Sequence, residues 1–250
     1  MVKDILPELL DKIQYNFNER LNKSKKVSSI KRKIEKGTAT YIDAQTYSIE
    51  VGEILASVFK DYLSVDVLPE GKMYYNIAER LLNETLGNNH VLISEVTKSI
   101  QELLNSKAGL GLKSVDVPVY KNKIKSIVNR LSQTENFDEA LWILGEPIVT
   151  FSQNVVDESI KANMNFQAKS GLRPKITRTV RGRNPCDWCE SMAGTYIYPD
   201  IPSEVFTRHD RCKCSVTYDP VEGKKQDVWT KEFITQEEKE LIEQRKNYGL

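Results

Sequence analysis

All four cysteines of this 250-residue chain lie in one short segment, together with one of its two histidines. The segment contains a Cys-x-x-Cys motif at Cys186 and Cys189, followed by a His-x-x-Cys-x-Cys motif at His209, Cys212 and Cys214. Thiolate and imidazole groups are preferred ligands of zinc, and a structural zinc ion takes four of them in a tetrahedron. The pattern therefore predicts one structural zinc ion per chain, bound by four of these five residues.

The cysteines could instead form disulfides, a redox pair or part of a reduced core. Disulfides belong to oxidising compartments, and the first 20 residues contain four acidic side chains and lack the apolar core of a secretion signal. A thioredoxin-like pair would start a helix after a strand, whereas here Pro185 precedes the motif and a second cysteine cluster follows it. Cysteines that only fill a core are the simplest alternative. We expect reduced, metal-binding cysteines in a protein made in a cytosol.

A catalytic metal would need a vacant coordination position, and the motif argues against one. A zinc deaminase combines Pro-Cys-x-x-Cys with an upstream His-x-Glu, but the only upstream histidine is His90, and Leu92 stands where the glutamate would be. A ββα-metal nuclease needs a second histidine beside the ligands, and only His209 lies near them. Four or five strong protein ligands leave no position for water or substrate. We therefore expect a structural metal and no enzymatic activity.

The formal net charge of +1 indicates no partner, but the cations are unevenly distributed. The segment 159–185 lacks acidic residues and adjoins the cysteine motif. Its candidate binding residues are Lys169, Arg173, Lys175, Arg178, Arg181 and Arg183. We expect them on the solvated side of an extended segment, in contact with DNA phosphates or an acidic protein surface. The alternative is a merely solvated face, the interpretation we favour for the earlier basic run 20–33.

Residues 1–133 predict a helical amino-terminal domain. Apolar residues recur there at intervals of three and four, the period of an amphipathic helix, as at Leu9, Ile13 and Phe17. The segment 109–118 contains two glycines and a proline and predicts a break. No stretch approaches the roughly 20 apolar residues of a membrane span, so we expect no membrane association.

A second unit is predicted over residues 134–222. Asn136 has the spacing of a helix cap, and the helix that follows is expected to run to about Lys169. We expect an interruption at 145–147, because Pro147 removes a helical hydrogen bond. Residues 223–250 predict a charged tail with a helix from about 235 to 248.

Three short β-branched or aromatic runs, at 176–180, 194–198 and 215–218, predict strands beside the cysteine motifs. Trp188 and Tyr196 are expected to pack over the metal. The predicted fold class is mainly α, with a small carboxyl-terminal α+β module of short antiparallel strands around a Cys/His zinc knuckle. Ligation would stabilise a module too small to bury a core unaided.

The order of motifs, from the end of the long helix to the last strand, resembles that of a known family. A basic strand leads to Asn-Pro-Cys-x-x-Cys, then to Gly-Thr-Tyr, and finally to Arg-His-x-x-Cys-x-Cys and Val-x-Tyr. This segment, roughly 137–220, is similar to the carboxyl-terminal domain of phage head morphogenesis proteins, the Mu-F-like minor head proteins of tailed phages and prophages. The matching residues are Cys186, Cys189, Gly194, His209, Cys212 and Cys214. Asp210 stands where family members often have proline, which affects the shape of the loop but not the ligands.

The resemblance implies a virion protein made in the host cytoplasm and present in few copies in the head. Its implied partners are the portal or major capsid protein during head assembly, and phage DNA, with no small-molecule substrate. The alternative is an enzyme, either a zinc-dependent nuclease or a toxin carried on a Mu-F-like domain. Toxin fusions usually append a separate catalytic domain, whereas residues 220–250 contain no recognisable nucleophile and base. We therefore expect a structural protein.

Overall fold

The computed structural model describes residues 4–181, 185–209, 211–220, 240–241 and 243–245. The helices are α1 (Leu6–Lys23), α2 (Lys25–Glu35), α3 (Tyr41–Tyr62), α4 (Tyr75–Lys107), α5 (Lys121–Ser132), α6 (Phe137–Ala140), α7 (Glu146–Lys169) and α8 (Asp187–Ser191). The strands are β1 (Lys175–Thr179), β2 (Gly194–Ile197) and β3 (Ser215–Asp219). The predicted fold class, mainly α with a small carboxyl-terminal sheet beside the cysteines, is confirmed.

Local sequence signals set several helix boundaries. Thr40 and Asp43 form a capping box at the start of α3, in which the backbone N–H of Thr40 donates to the Asp43 carboxylate at 2.9 Å. Asn136 caps α6 by accepting from the N–H of Asp138, as its spacing predicts. The interruption expected near Pro147 is also present. A 3₁₀ turn ends just before α7, which has Pro147 in its first turn, where its missing N–H costs no helical bond.

Helices α3 and α7 pack closely at the centre of the molecule, and Gly52 permits their approach. A Cβ atom at Gly52 would lie 2.8 Å from the Cα of Val149 and 2.8 Å from the Oγ of Ser152. Asn89 of α4 donates to the same Ser152 hydroxyl at 3.0 Å. Three helices therefore meet at one small polar contact, one of several buried polar contacts that join α3, α4 and α7.

The hydrophobic core is continuous from the first helix to the last strand. Its buried apolar residues form one cluster that includes Leu6 of α1, Phe59 of α3, Val155 of α7 and Tyr218 of β3. The Tyr218 ring meets the edge of Tyr41 at a centroid distance of 6.3 Å. The boundary predicted near residue 134 thus does not coincide with a gap in the packing. The sheet module shares the core of the helices.

The sheet is antiparallel in the order β2-β1-β3, so β1 is the middle strand. Alternate side chains of a strand point to opposite faces, and Ile176 and Arg178 occupy the face that packs inward. Arg178 is 1% exposed. The expectation that Arg178 lies on the solvated side of the module is therefore wrong. Residues two positions apart in a strand share a face, so Arg178 lies on the same buried face as Ile176.

The carboxyl-terminal tail falls largely outside the described residues, and so does most of the helix predicted over 235–248. Residues 240–241 and 243–245 are helical. Among the described helices, none combines the length and the apolar character that crossing a membrane requires.

Candidate metal centre

The five predicted ligands come together near the end of the sheet where β1 ends and β3 begins. Cys186, Cys189 and His209 form one group of donor atoms, and Cys189, Cys212 and Cys214 form a second. Within each group the donor atoms lie within 4.8 Å of one another, and Cys189 belongs to both. All four cysteines are free thiols. The arrangement could hold a metal ion.

The first arm is built by a short helix. Cys186 caps α8, and its sulfur accepts the backbone N–H of Cys189 at 3.4 Å. Three-residue spacing across a helix start turns both thiols to the same side, with Cys186 exposed and Cys189 buried. The local fold therefore presents two sulfur atoms as a pair.

The second arm is a tight turn that leads into β3. The N–H of Cys212 donates to the carbonyl of His209 at 3.1 Å, and Arg211 has a φ of +61°. Such a left-handed conformation is uncommon for residues other than glycine and marks a constrained turn. Asp210, where the chain departs from the phage family, lies outside the described residues. The turn directs His209 and Cys212 toward the first arm.

The distances between donors can be compared with a zinc tetrahedron. Ordinary zinc bond lengths give edges of about 3.8 Å between two sulfurs and about 3.5 Å between sulfur and nitrogen. The sulfurs of Cys189 and Cys212 are 3.9 Å apart, and the Cys186 sulfur lies 3.4 Å from Nε2 of His209. The Cys189 sulfur is closer to that nitrogen, at 2.9 Å. Two of these three distances are close to zinc edges, but Cys212 is grouped with Cys189 and Cys214 and not with Cys186 and His209, so the donors form two triads that share Cys189.

The pKa of the Cys189 thiol is raised to about 12. Burial is the main cause, and the neighbouring thiols of Cys214, Cys212 and Cys186 add to it, while Arg178 opposes the shift. A bound metal cation favours the deprotonated form of its thiol ligands. Burial and crowding at Cys189 are therefore unfavourable for a bare thiolate there and suited to a soft metal ion.

Arg178 provides an independent test of whether a metal fits. Its Nη1 donates to the carbonyls of Val205 and Thr207 at 2.7 and 2.9 Å. Its Nη2 faces the sulfurs of Cys212 and Cys189 at 3.6 and 4.0 Å. Its buried Nε has no hydrogen-bond partner. The guanidinium is thus directed at the sulfur cluster from inside the core.

A buried cation needs a nearby counter-charge, and among the described residues no carboxylate pairs with Arg178. The closest groups able to carry negative charge are the sulfurs of Cys212 and Cys189. Metal-bound thiolates would supply that charge, so the buried arginine fits a metal–thiolate centre better than a set of neutral thiols. Sequence reasoning missed this role, because the arginine belongs to a basic run that resembles a surface segment.

Aromatic packing around the cluster is partly as predicted. The Trp188 ring lies beneath the Arg178 guanidinium at 5.0 Å and meets the edge of His209 at 6.0 Å. Tyr196 does not cover the site. It packs against the main core, and its hydroxyl donates to the Met192 carbonyl at 3.2 Å. Tyr196 lies on β2, one of the two edge strands of the sheet.

Polar contacts fasten the second arm to α7. Arg208 forms a bidentate ion pair with Asp157, with Nη2 and Oδ1 2.9 Å apart, and donates to the Cys214 carbonyl at 2.8 Å. Gln153 donates to the Cys212 carbonyl at 3.1 Å. Burial alone would lower the pKa of Arg208, but the Asp157 carboxylate outweighs it and raises that pKa. The only sequence signal for the Arg208–Asp157 pair was the acidic residue Asp157 itself, within the apolar stretch of α7.

The basic segment contains side chains in different environments. Lys175 forms an ion pair with Asp219 at 3.5 Å, and the exposed Arg181 donates to the Ser215 hydroxyl at 3.0 Å. Lys175 is therefore engaged by the module itself, whereas Arg181 donates through Nε and remains exposed. Arg178 belongs to the buried sulfur cluster.

The other three candidates are two exposed residues and one that is not described. Lys169 and Arg173 are exposed, and Arg173 makes only a long contact of 3.4 Å from Nε to the Tyr198 carbonyl. Arg183 lies outside the described residues. The surface available to an anionic partner is thus smaller than the sequence predicts, and it centres on Lys169, Arg173 and Arg181.

The second histidine of the chain lies in α4, away from the cysteines. His90 donates from Nε2 to the Val117 carbonyl at 2.9 Å, and burial lowers its pKa. It holds the connection after α4 in place and contributes nothing to the sulfur cluster.

No protein family model, no characterised protein and no solved structure matches this chain.

Proposed function

We propose that the protein is a structural and assembly component of a tailed-phage head, a minor head protein that carries one structural zinc ion per chain. The order of motifs over 137–220, which resembles phage head morphogenesis proteins, supports the biological setting. The observation that carries the zinc assignment is the convergence of five thiol and imidazole donors beside a buried arginine that lacks a carboxylate partner.

The zinc has a structural role in this proposal. Four protein ligands complete its coordination and leave no position for water or substrate. The ion connects α8 to the turn before β3, two short elements that bury little surface of their own. Structural zinc sites can contribute about 10–16 kcal/mol to the folding of such modules. The ion thereby fixes the sheet against the helical core.

The partners in this proposal are the portal or major capsid protein, with phage DNA as a further contact, and the location is the virion head. Lys169, Arg173 and Arg181 provide the exposed positive charge for an acidic protein surface or for phosphates. Such charged contacts orient the partner and make its association sensitive to salt, and they contribute less to the affinity itself.

Two measurements test the proposal. Elemental analysis of the protein purified under reducing conditions should find one zinc per chain, and a value near zero would remove the structural basis. Co-expression with the portal and major capsid proteins of the same genome should yield heads that contain the chain, whereas its absence from purified heads would contradict the assembly role.

The same preparation tests the enzyme alternative. Zinc-loaded protein incubated with double-stranded DNA, with and without added magnesium, should leave the DNA intact, since the proposed ligand set is closed. Cleavage that disappears in Cys189→Ser would instead establish a zinc-dependent nuclease.

A further inference from the structure

The charges around the sulfur cluster can be added group by group. A zinc ion bound by three thiolates and one imidazole carries a net charge of −1, and one bound by four thiolates carries −2. Arg208 lies beside the cluster, but Asp157 already neutralises it. Arg178 is the remaining buried charge that touches the sulfurs, and its +1 balances a centre with three cysteines and one histidine.

We infer that Arg178 is the built-in counter-ion of the zinc centre, which strengthens zinc binding and destabilises the sheet when zinc is absent. The inference rests on the zinc site of the proposed function and adds a regulatory consequence, because one side chain links the state of the metal to the stability of the strand that carries it.

The position of Arg178 in the sheet explains how the effect would spread. It lies in the middle strand, opposite Gly194 of β2 and Val216 of β3. When zinc leaves, the guanidinium loses the metal–thiolate centre that it faces and stays buried with no carboxylate partner among the described residues, which is unfavourable. Moving it into solvent would require β1 to separate from at least one neighbour. Loss of the ion would therefore loosen the whole sheet and not only the two arms.

A purely structural role for Arg178 would look different. The bonds from Nη1 to the carbonyls of Val205 and Thr207 form with or without a metal, and a neutral donor could replace them. The side of the guanidinium that faces the sulfurs has no other anionic partner among the described residues. The two roles can be separated, because only the counter-ion role depends on zinc.

The experiment compares Arg178→Lys, which keeps the charge, with Arg178→Gln, which keeps a donor without the charge. Arg181→Gln is the matched control, since Arg181 is exposed and lies three residues away. Zinc affinity is measured by competition with a chromogenic chelator, and Tm is measured with saturating zinc and after zinc removal. We expect Arg178→Gln to bind zinc about 10–100-fold more weakly, as is typical for groups that orient metal ligands. Arg178→Lys should retain most of the affinity.

The second readout is the Tm without zinc. There Arg178→Gln should be at least as stable as the wild type, because the uncompensated charge is gone, while with zinc it should be less stable. Arg181→Gln should change neither zinc affinity nor the difference between the two Tm values.

Several outcomes would overturn the inference. Equal zinc affinity of Arg178→Lys and Arg178→Gln, or an equal loss of Tm with and without zinc, would reduce Arg178 to a packing residue and leave the zinc site intact. Failure of Arg178→Gln to fold in either state would also contradict it. A wild-type protein that binds no zinc would instead overturn the proposed metal centre itself.

Discussion

Arg208 and Asp157 form a buried ion pair that joins the cysteine cluster to helix α7. The side chains are 0% and 1% exposed, and Gln45 of α3 donates to the same carboxylate at 2.9 Å. Arg208 also donates to the Cys214 carbonyl, so a single side chain contacts both the helical core and the cysteine arm. The cysteine cluster is therefore held against the helices by charge as well as by apolar packing.

Replacing Asp157 by alanine should strongly destabilise the protein. Arg208 would remain buried without its partner, and breaking a buried pair in this way typically costs about 3–5 kcal/mol. Asp116→Ala is the control, because its ion pair with Lys98 is exposed and should contribute at most about 1 kcal/mol. Urea denaturation of the zinc-loaded proteins measures both values. Similar losses in the free energy of unfolding for the two variants would show that the buried pair stabilises the protein no more than the exposed pair does.

Single substitutions should identify the zinc ligands. We expect Cys186, Cys189, His209 and Cys212 to bind the ion, because the first three form one donor group and the Cys212 sulfur lies 3.9 Å from that of Cys189. Zinc content should then fall in His209→Ala and remain near one per chain in Cys214→Ser. The opposite result would identify four cysteines as the ligands and exclude the histidine.

Chelation should affect the sheet more than the helices. Helices α1, α3, α4, α5 and α7 bury an extensive set of apolar residues of their own, so most helical circular dichroism should survive zinc removal. Because β3 shares that core, the Tm of the helical part should nevertheless fall. Full loss of helicity on adding chelator would show that the metal and the helices form one cooperative unit. An unchanged Tm would show that the sheet is independent of them.

Gly52 should tolerate no side chain, in contrast to Gly87. A Cβ at Gly52 would meet the Val149 backbone at 2.8 Å, and such overpacking typically costs about 1–3 kcal/mol. A Cβ at Gly87 in α4 meets nothing within 4 Å, so Gly87→Ala should stabilise the helix by about 1 kcal/mol. Thermal unfolding of Gly52→Ala and Gly87→Ala should therefore show shifts of opposite sign. Shifts of the same sign would contradict the close approach of α3 and α7.

Much of the fold could be predicted because its signals are local. The cap at Asn136, the break before Pro147 and the three strands each depend on residues within a few positions of one another. The convergence of the cysteines was also accessible, since all four lie in two short motifs joined by one loop. Short-range chemistry was sufficient for these features.

The supporting contacts of the site could not be predicted, because they join residues far apart in the chain. Asp157 meets Arg208 across 51 positions, and Arg178 meets the Cys212 sulfur across 34. The alternation along β1 places Arg178 on the same face as Ile176, but the local sequence does not indicate that this face meets the sulfur cluster. Only the pairing of β1 with two other strands decides which cations face the core.

Charge reversal on the exposed part of the basic segment should weaken binding to DNA or to heads while the zinc site stays intact. The informative variant combines Lys169→Glu, Arg173→Glu and Arg181→Glu and leaves the buried arginine unchanged. If these residues contact phosphates, each lost contact should lower the slope of log affinity against log salt by about 0.9, measured by fluorescence anisotropy with duplex DNA. The control variant reverses Lys25 and Lys31 on α2, which are exposed and expected to be only solvated. Equal binding and head incorporation by wild type and the triple variant would place the interaction surface in the helical part of the molecule.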